Sequence, residues 1–197
     1  RFDKSISEVN FKSKDNKLTI IFAGNLGRFQ ALEKIIDAMA LLKNRKDIKL
    51  IIVGDGSAKA DLAFKIKKTN ANVYIIDRQP AQIVKEMIKK ADFGLVSLVS
   101  NVYKYGYPGK IMTYLEQGKP LITVLEKESE IVKLMEHENY GFCIPSLEPK
   151  KISQYLIELL ENDSWKLKMS GNAMNAYKKY FAKDKILSKW SNVLLSK

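Results

Sequence analysis

Tyr105-Gly-Tyr-Pro-Gly-Lys-Ile-Met-Thr-Tyr-Leu-Glu-Gln-Gly-Lys-Pro-Leu-Ile-Thr123 holds a loop, a helix and a buried strand in immediate succession. Pro108 and Gly109 punctuate the loop, Lys110 opens a helix that Gly118 can end, and Pro120 introduces the apolar strand 121–124. In an open α/β sheet, loops that leave strand C-termini form the ligand crevice. The apolar run 93–98 lies just upstream, so this loop leaves such a strand. The segment thus fixes the fold class as alternating α and β, and it marks where ligand-binding side chains should gather.

The same alternation extends both ways. Residues 18–23, 48–53, 73–76 and 93–98 are short apolar runs rich in β-branched residues, suited to strands covered on both faces. Between them, Phe29, Leu32, Ile35, Ile36, Met39 and Leu42 recur at helical spacing, so a helix is expected from about Phe29, and 59–68 and 80–90 read as further helices. Downstream come helix 129–137, strand 142–144 and a strand-free remainder. Its apolar faces are Ile152, Leu156, Leu159 and Leu160; then Met169, Ala173, Ala176, Tyr177 and Tyr180; then Ile186, Leu187, Trp190 and Leu194. Strands alternating with helices imply parallel β-α-β units with right-handed crossovers. The polar stretch 1–16 reads as a linker and 17–197 as one domain.

With 46% hydrophobic and 28% charged residues over 197 positions, the chain has the composition of a globular domain. No apolar run approaches the roughly 20 residues that span a bilayer, and no N-terminal signal pattern is visible, so a cytoplasmic location is expected. The chain starts Arg1-Phe2 without a methionine, which suggests a piece of a longer protein. A net charge of +12 raises nucleic acid as a partner, but only Arg1, Arg28, Arg45 and Arg78 of the 34 basic residues are arginines. Lysines scattered along helix faces lack the bidentate fork that reads bases, so nucleic acid is not expected, while adhesion to anionic lipid is open.

Candidate chemistry sits at the ends of the predicted strands. Gly24-Asn-Leu-Gly27 joins a strand to a helix, a place where backbone N–H groups can approach an anion, and Arg28 adds a full charge. Gly54-Asp-Gly56 follows the second strand but lacks the third glycine of a dinucleotide fingerprint, which argues against a nicotinamide cofactor. Tyr103, Tyr105 and Tyr107 offer rings that could stack on a sugar or base. His137 stands alone among charged residues and reads as surface; Cys143 between Phe142 and Ile144 reads as a small core residue. No Asp-x-Asp and no His/Cys/Asp cluster with ligand spacing is present, so neither a metal nor another cofactor is expected.

Four blocks in order, Phe22-Ala-Gly-Asn-Leu-Gly-Arg-Phe-Gln30, Leu50-Ile-Ile-Val-Gly-Asp-Gly56, Ala91-Asp-Phe-Gly-Leu-Val-Ser-Leu98 and Pro108-Gly-Lys110 leading to Gly118-Lys-Pro120, resemble the C-terminal half of the group 1 retaining glycosyl transferases. These enzymes have two facing Rossmann-like domains, the GT-B architecture. The resemblance implies a doubly wound parallel Rossmann-like sheet of about six strands, with helices on both faces and a helical C-terminus. It also implies a nucleotide sugar as partner and an acceptor held by an N-terminal domain beyond this sequence. Residues 1–16 would then link the two domains.

By that resemblance the donor diphosphate falls to Gly24, Asn25, Gly27, Arg28, Gln30 and Lys110. The nucleotide and its ribose fall to Gly54, Asp77, Arg78 and Thr113, and the sugar to Tyr105, Tyr107, Pro108 and Gly109. No catalytic residue is assigned. The chain departs from the family pattern where an arginine and a lysine usually stand, with Asn25 and Gln30 instead. It departs again where two glutamates are spaced eight apart, with Tyr105 and Thr113 in their places. Three readings follow: the donor-binding half of a bacterial-type transferase acting in polysaccharide biosynthesis, a non-catalytic interaction module, or half of a sugar-nucleotide epimerase.

Overall fold

The computed structural model describes residues 17–161 and 164–195. The linker reading for 1–16 lies outside the described residues. Strands β1 (Leu18–Ala23), β2 (Ile48–Val53), β3 (Val73–Ile76), β4 (Phe93–Ser97), β5 (Leu121–Val124) and β6 (Gly141–Cys143) form one sheet in the order β3-β2-β1-β4-β5-β6. Every pairing is parallel. The order reverses between β1 and β4, which makes this a doubly wound Rossmann-like sheet with its switch point there.

Helices α1 (Leu32–Leu41), α2 (Lys59–Thr69), α3 (Ala81–Lys90), α4 (Lys110–Glu116), α5 (Glu130–Glu138), α6 (Pro149–Glu161), α7 (Trp165–Ala176) and α8 (Lys183–Leu195) complete the chain. Side chains alternate across a strand, and β1 shows it: Leu18, Ile20 and Phe22 join one core, Ile21 and Ala23 the other. The first core packs against α1, α2 and α6, the second against α3, α4, α5 and α7. With both faces covered, β1 and β2 are buried at every position.

Strands 18–23, 48–53, 73–76 and 121–124 coincide with their sequence expectation. The first helix does not. Gly27 is extended, Arg28–Gln30 form a single 3-10 turn, and Ala31 sits in the left-handed region at φ 50°, so α1 starts only at Leu32. Two long-range bonds hold the turn out of the helix: Val99 N–H donates to the Phe29 carbonyl at 2.9 Å and Ser97 Oγ to that of Gln30 at 2.5 Å. Phe29 therefore leaves the apolar stripe and is 66% exposed, while Leu32, Ile35, Ile36, Met39 and Leu42 are buried as expected.

Within residues 105–123, Gly118 ends α4 at φ +63°. Asn70 and Asn139 close α2 and α5 in the same left-handed conformation. The Ser129 hydroxyl caps α5 by accepting from Ile131 N–H at 3.3 Å. β6 begins at Gly141, one residue earlier than its apolar run suggests, because pairing to β5 starts at Leu121↔Gly141. The three apolar faces of the C-terminal region fare differently. Those of α6 and α7 are buried, but Leu187, Trp190 and Leu194 of α8 are exposed.

Candidate functional site

The loops leaving β1, β2 and β3 meet one face of α3, from Ala81 to Ile88, and the first part of α4, from Lys110 to Tyr114, around a cleft of about 530 Å3. That volume lies within the ~300–1,000 Å3 usual for small-molecule sites, and its place at the strand C-termini beside the switch point is where such folds bind ligands. Of the residues expected at the site, Gly24, Asn25, Gly54, Arg78, Lys110 and Thr113 line it.

Two loops build its floor by close backbone approach. Gly24 N–H donates to the Val53 carbonyl at 2.9 Å and Gly54 N–H to that of Ile76 at 3.0 Å, continuing the sheet one residue past the strands. Gly54 has φ +153°, and a Cβ there would lie 1.9 Å from the Gly24 carbonyl oxygen, so no larger residue fits. Leu26 anchors the first loop beneath the second: it is fully buried, its N–H donates to Asp55 at 2.8 Å and its carbonyl accepts from Ala58 at 2.9 Å.

Lys110 supplies the charge. Its side chain folds back over the β1 end, with Nζ 3.7 Å from the Phe22 ring centroid and 2.5 Å from the Gln30 Oε1 that accepts its hydrogen bond. That partner is a neutral amide, not a carboxylate. Burial without a compensating anion pulls the ammonium pKa down from 10.5 to about 7. Lys110 and Gln30, far apart in sequence, thus meet where a diphosphate was expected.

Other expected residues are elsewhere. Arg28 is exposed and outside the lining. Because α1 starts at Leu32, the Gly24–Arg28 stretch is a turn rather than the N-terminus of a helix; the positive charge beside Gly24 comes from Lys110 instead. Gln30 reaches the cleft only through Lys110. Asp77 turns away to bind Lys59 Nζ at 2.5 Å.

Tyr105 is 88% exposed, and neither it, Pro108 nor Gly109 lines the cleft. Tyr107 instead lines a second cleft of about 440 Å3 with Tyr103, Gly106 and residues 128–131. Its ring packs 5.8 Å from that of Phe181, and burial pushes its phenol up to about 12.

Sequence reasoning missed Tyr114 and Lys85. Tyr114 is fully buried, its ring fills the space that a side chain at Gly94 would take, and its hydroxyl accepts from Ala23 N–H at 2.8 Å. It satisfies the backbone at the very end of β1. Gly94 in the fourth strand was a visible hint that a ring lies flat against the sheet. Lys85 of α3 lines the cleft and binds Glu116 of α4 at 2.8 Å. His137 is a surface residue and Cys143 is half-buried, its thiol pushed up by burial and donating to the Leu125 carbonyl at 3.5 Å. Among the described residues no group of three or more His, Cys, Asp or Glu could hold a metal ion, and no helix is long and apolar enough to cross a membrane.

Strand order and crevice together define a Rossmann-like domain with its site at the switch point. The family model of glycosyl transferases group 1 matches residues 17–162, and the chain belongs to that family. It is 28% identical over 157 residues to the probable glycosyltransferase WbjE of Pseudomonas aeruginosa, covering 79% of this chain and 39% of that protein. Its fold matches Anabaena Alr3699/HepE, crystallised in complex with UDP and glucose, with a TM-score of 0.77 at 18% identity, covering 92% of this chain and 49% of that one. It also matches the C-terminal domain of the group 1 glycosyl transferase LpcC of Francisella tularensis, with a TM-score of 0.69 at 14% identity, covering 84% and 87%. The chain thus spans half or less of the WbjE and HepE proteins.

Proposed function

We propose that this chain is the donor-binding half of a group 1 glycosyl transferase, holding a nucleoside-diphosphate sugar in the 530 Å3 cleft. The glycosyl group would pass to a saccharide or lipid-linked acceptor presented by the other half. The observation that carries this reading is Lys110: a desolvated ammonium at the crevice, facing an amide rather than a carboxylate. A diphosphate there would restore the missing counter-charge, and it would gain more as a leaving group, when its negative charge grows, than in the ground state. Gly24 and Gly54 keep the backbone low enough for the phosphates to approach. The hydroxyl of Thr113 and the guanidinium of Arg78 line the same cleft and suit the nucleoside.

In this scheme the donor is held without a divalent metal, and the group that accepts the acceptor's proton lies outside the cleft. Calorimetry with UDP, GDP and ADP in chelator tests the reading: one of the three should bind without added magnesium. Failure of all three, or strict dependence on the metal, would overturn it and favour the interaction-module alternative. The net charge of +12 supports contact with an anionic membrane face as well, which vesicle sedimentation at low and high salt would test.

A further inference from the structure

The second cleft, of about 440 Å3, opens between two segments that leave neighbouring strands. One wall is the turn Val102–Tyr105 with Gly106 and Tyr107, which follows β4; the other is 128–131, which follows β5 and starts α5. Both walls are anchored. Asn101, left-handed at φ 68°, donates its N–H to the Glu126 carboxylate at 2.7 Å and so ties the first segment to the second. Val102 and Tyr103 pack on the second core, the Tyr107 ring rests against Phe181, and Ser129 and Ile131 are buried.

Between these anchors the cleft presents two tyrosine rings and two carboxylates. Glu128 and Glu130 flank the buried Ser129, are exposed themselves, and take part in no ion pair among the described residues. Burial, with a smaller contribution from the Glu130 carboxylate, keeps the Tyr107 phenol protonated, so its hydroxyl remains a donor. Lys104, also in the lining, turns its Nζ back to the Asn101 side-chain oxygen at 2.8 Å and to the Tyr103 ring centroid at 5.9 Å. The carboxylates therefore set the local charge. An acidic spot in a chain of net charge +12 argues against a second phosphate or nucleotide site, because like charges brought together cost free energy.

We infer that this second cleft is a saccharide subsite, separate from the donor cleft, that takes a neutral glycan as acceptor or product. The partly positive C–H groups on one face of a pyranose match the negative face of an aromatic ring, and Tyr103 and Tyr107 supply two such rings. Around the sugar's edge stand vicinal hydroxyls, for which ionised carboxylates are the strong acceptors and a neutral phenol is a donor. Its volume falls within the ~300–1,000 Å3 usual for small-molecule sites. The two clefts share no lining residue, and Pro108 and Gly109, which join Tyr107 to Lys110, line neither. A sugar held here would leave the nucleotide cleft free. That the glycan is acceptor or product rests on the transferase reading; the saccharide class rests on the walls alone.

Saturation-transfer NMR on the whole chain tests the subsite with a panel of neutral α- and β-linked trisaccharides of glucose, galactose, mannose and N-acetylglucosamine. At least one should bind, and its signal should persist with UDP, GDP and ADP together in saturating excess. The double variant Glu128→Gln, Glu130→Gln should weaken it about tenfold or more, the scale of hydrogen bonds to charged groups, at an unchanged melting temperature. Binding by none of the panel, displacement by the nucleotides, or equal binding by the double variant would each overturn the inference. Tetramethylammonium bound while no glycan is would reassign the cleft to a cation. If no nucleotide binds the wild type but a glycan does, and depends on Glu128 and Glu130, the donor-site reading falls and the saccharide subsite stands.

Discussion

At the scale of single residues, Lys110 is the side chain on which most depends. In the unfolded chain its pKa is ordinary, near 10.5, and in the fold about 7. Between those values the unfolded state holds the extra proton, so stability should rise with pH from about 7 to 10.5, and the burial penalty is felt in full below pH 7. Lys110→Met should therefore stabilise the apo chain more at pH 6 than at pH 10, measured by urea titration at both. A diphosphate reverses the balance by favouring the charged form. Its binding at pH 8 should take up protons, visible as a dependence of the calorimetric heat on buffer ionisation enthalpy. Lys110→Met should also weaken that binding at least tenfold, whereas Lys89→Ala, on an exterior turn and already paired with Glu86 at 2.8 Å, should change it less than twofold. Thr113 offers a milder probe. Thr113→Val should cost about 1 kcal/mol of nucleotide affinity, the usual net worth of a neutral hydrogen bond, and Thr113→Glu should tighten binding by supplying an ionised acceptor.

Among the elements, the meeting of two strand-end loops decides whether a cleft exists at all. Gly54→Ala would place a methyl 1.9 Å from the Gly24 carbonyl oxygen in a backbone conformation that side chains rarely adopt. It should destabilise the chain by about 3 kcal/mol or more and abolish nucleotide binding, both readable from denaturant curves and calorimetry. Tyr114→Phe removes one oxygen yet leaves the Ala23 N–H buried without its partner, so a loss of about 1–3 kcal/mol is expected despite the unchanged ring. Sequence periodicity could place β1, β2 and α4 correctly because local pattern and burial agree there. It could not place the start of α1, where two bonds from the β4 end hold Phe29 and Gln30 in a separate turn. The stripe counted Phe29 as apolar and helical; the long-range bonds outweighed that preference.

For the molecule as a whole, a ligand that binds only the folded state must raise its stability. At one hundred times its dissociation constant, a nucleoside diphosphate should add ~2.7 kcal/mol, or roughly 5–10 °C in Tm for a domain of this size. Trp190 and Leu194 make the complementary point. They are 62% and 67% exposed, so replacing either with serine should alter the stability of this chain by no more than about 0.5 kcal/mol in urea titration. The sequence by itself determined the alternation of strand and helix, the parallel β-α-β units, the motif blocks that resemble the family, and the position of Lys110 at the start of a crevice helix. These are properties of period, punctuation and local order, which neighbours along the chain specify. Only the tertiary structure decided that Lys110 faces Gln30, that Arg28, Asp77 and Tyr105 stand outside the cleft, and that Tyr114 and Lys85 complete its lining. Those facts depend on where α3 and α4 settle against β1, and packing between elements distant in sequence leaves no periodic trace in any one of them.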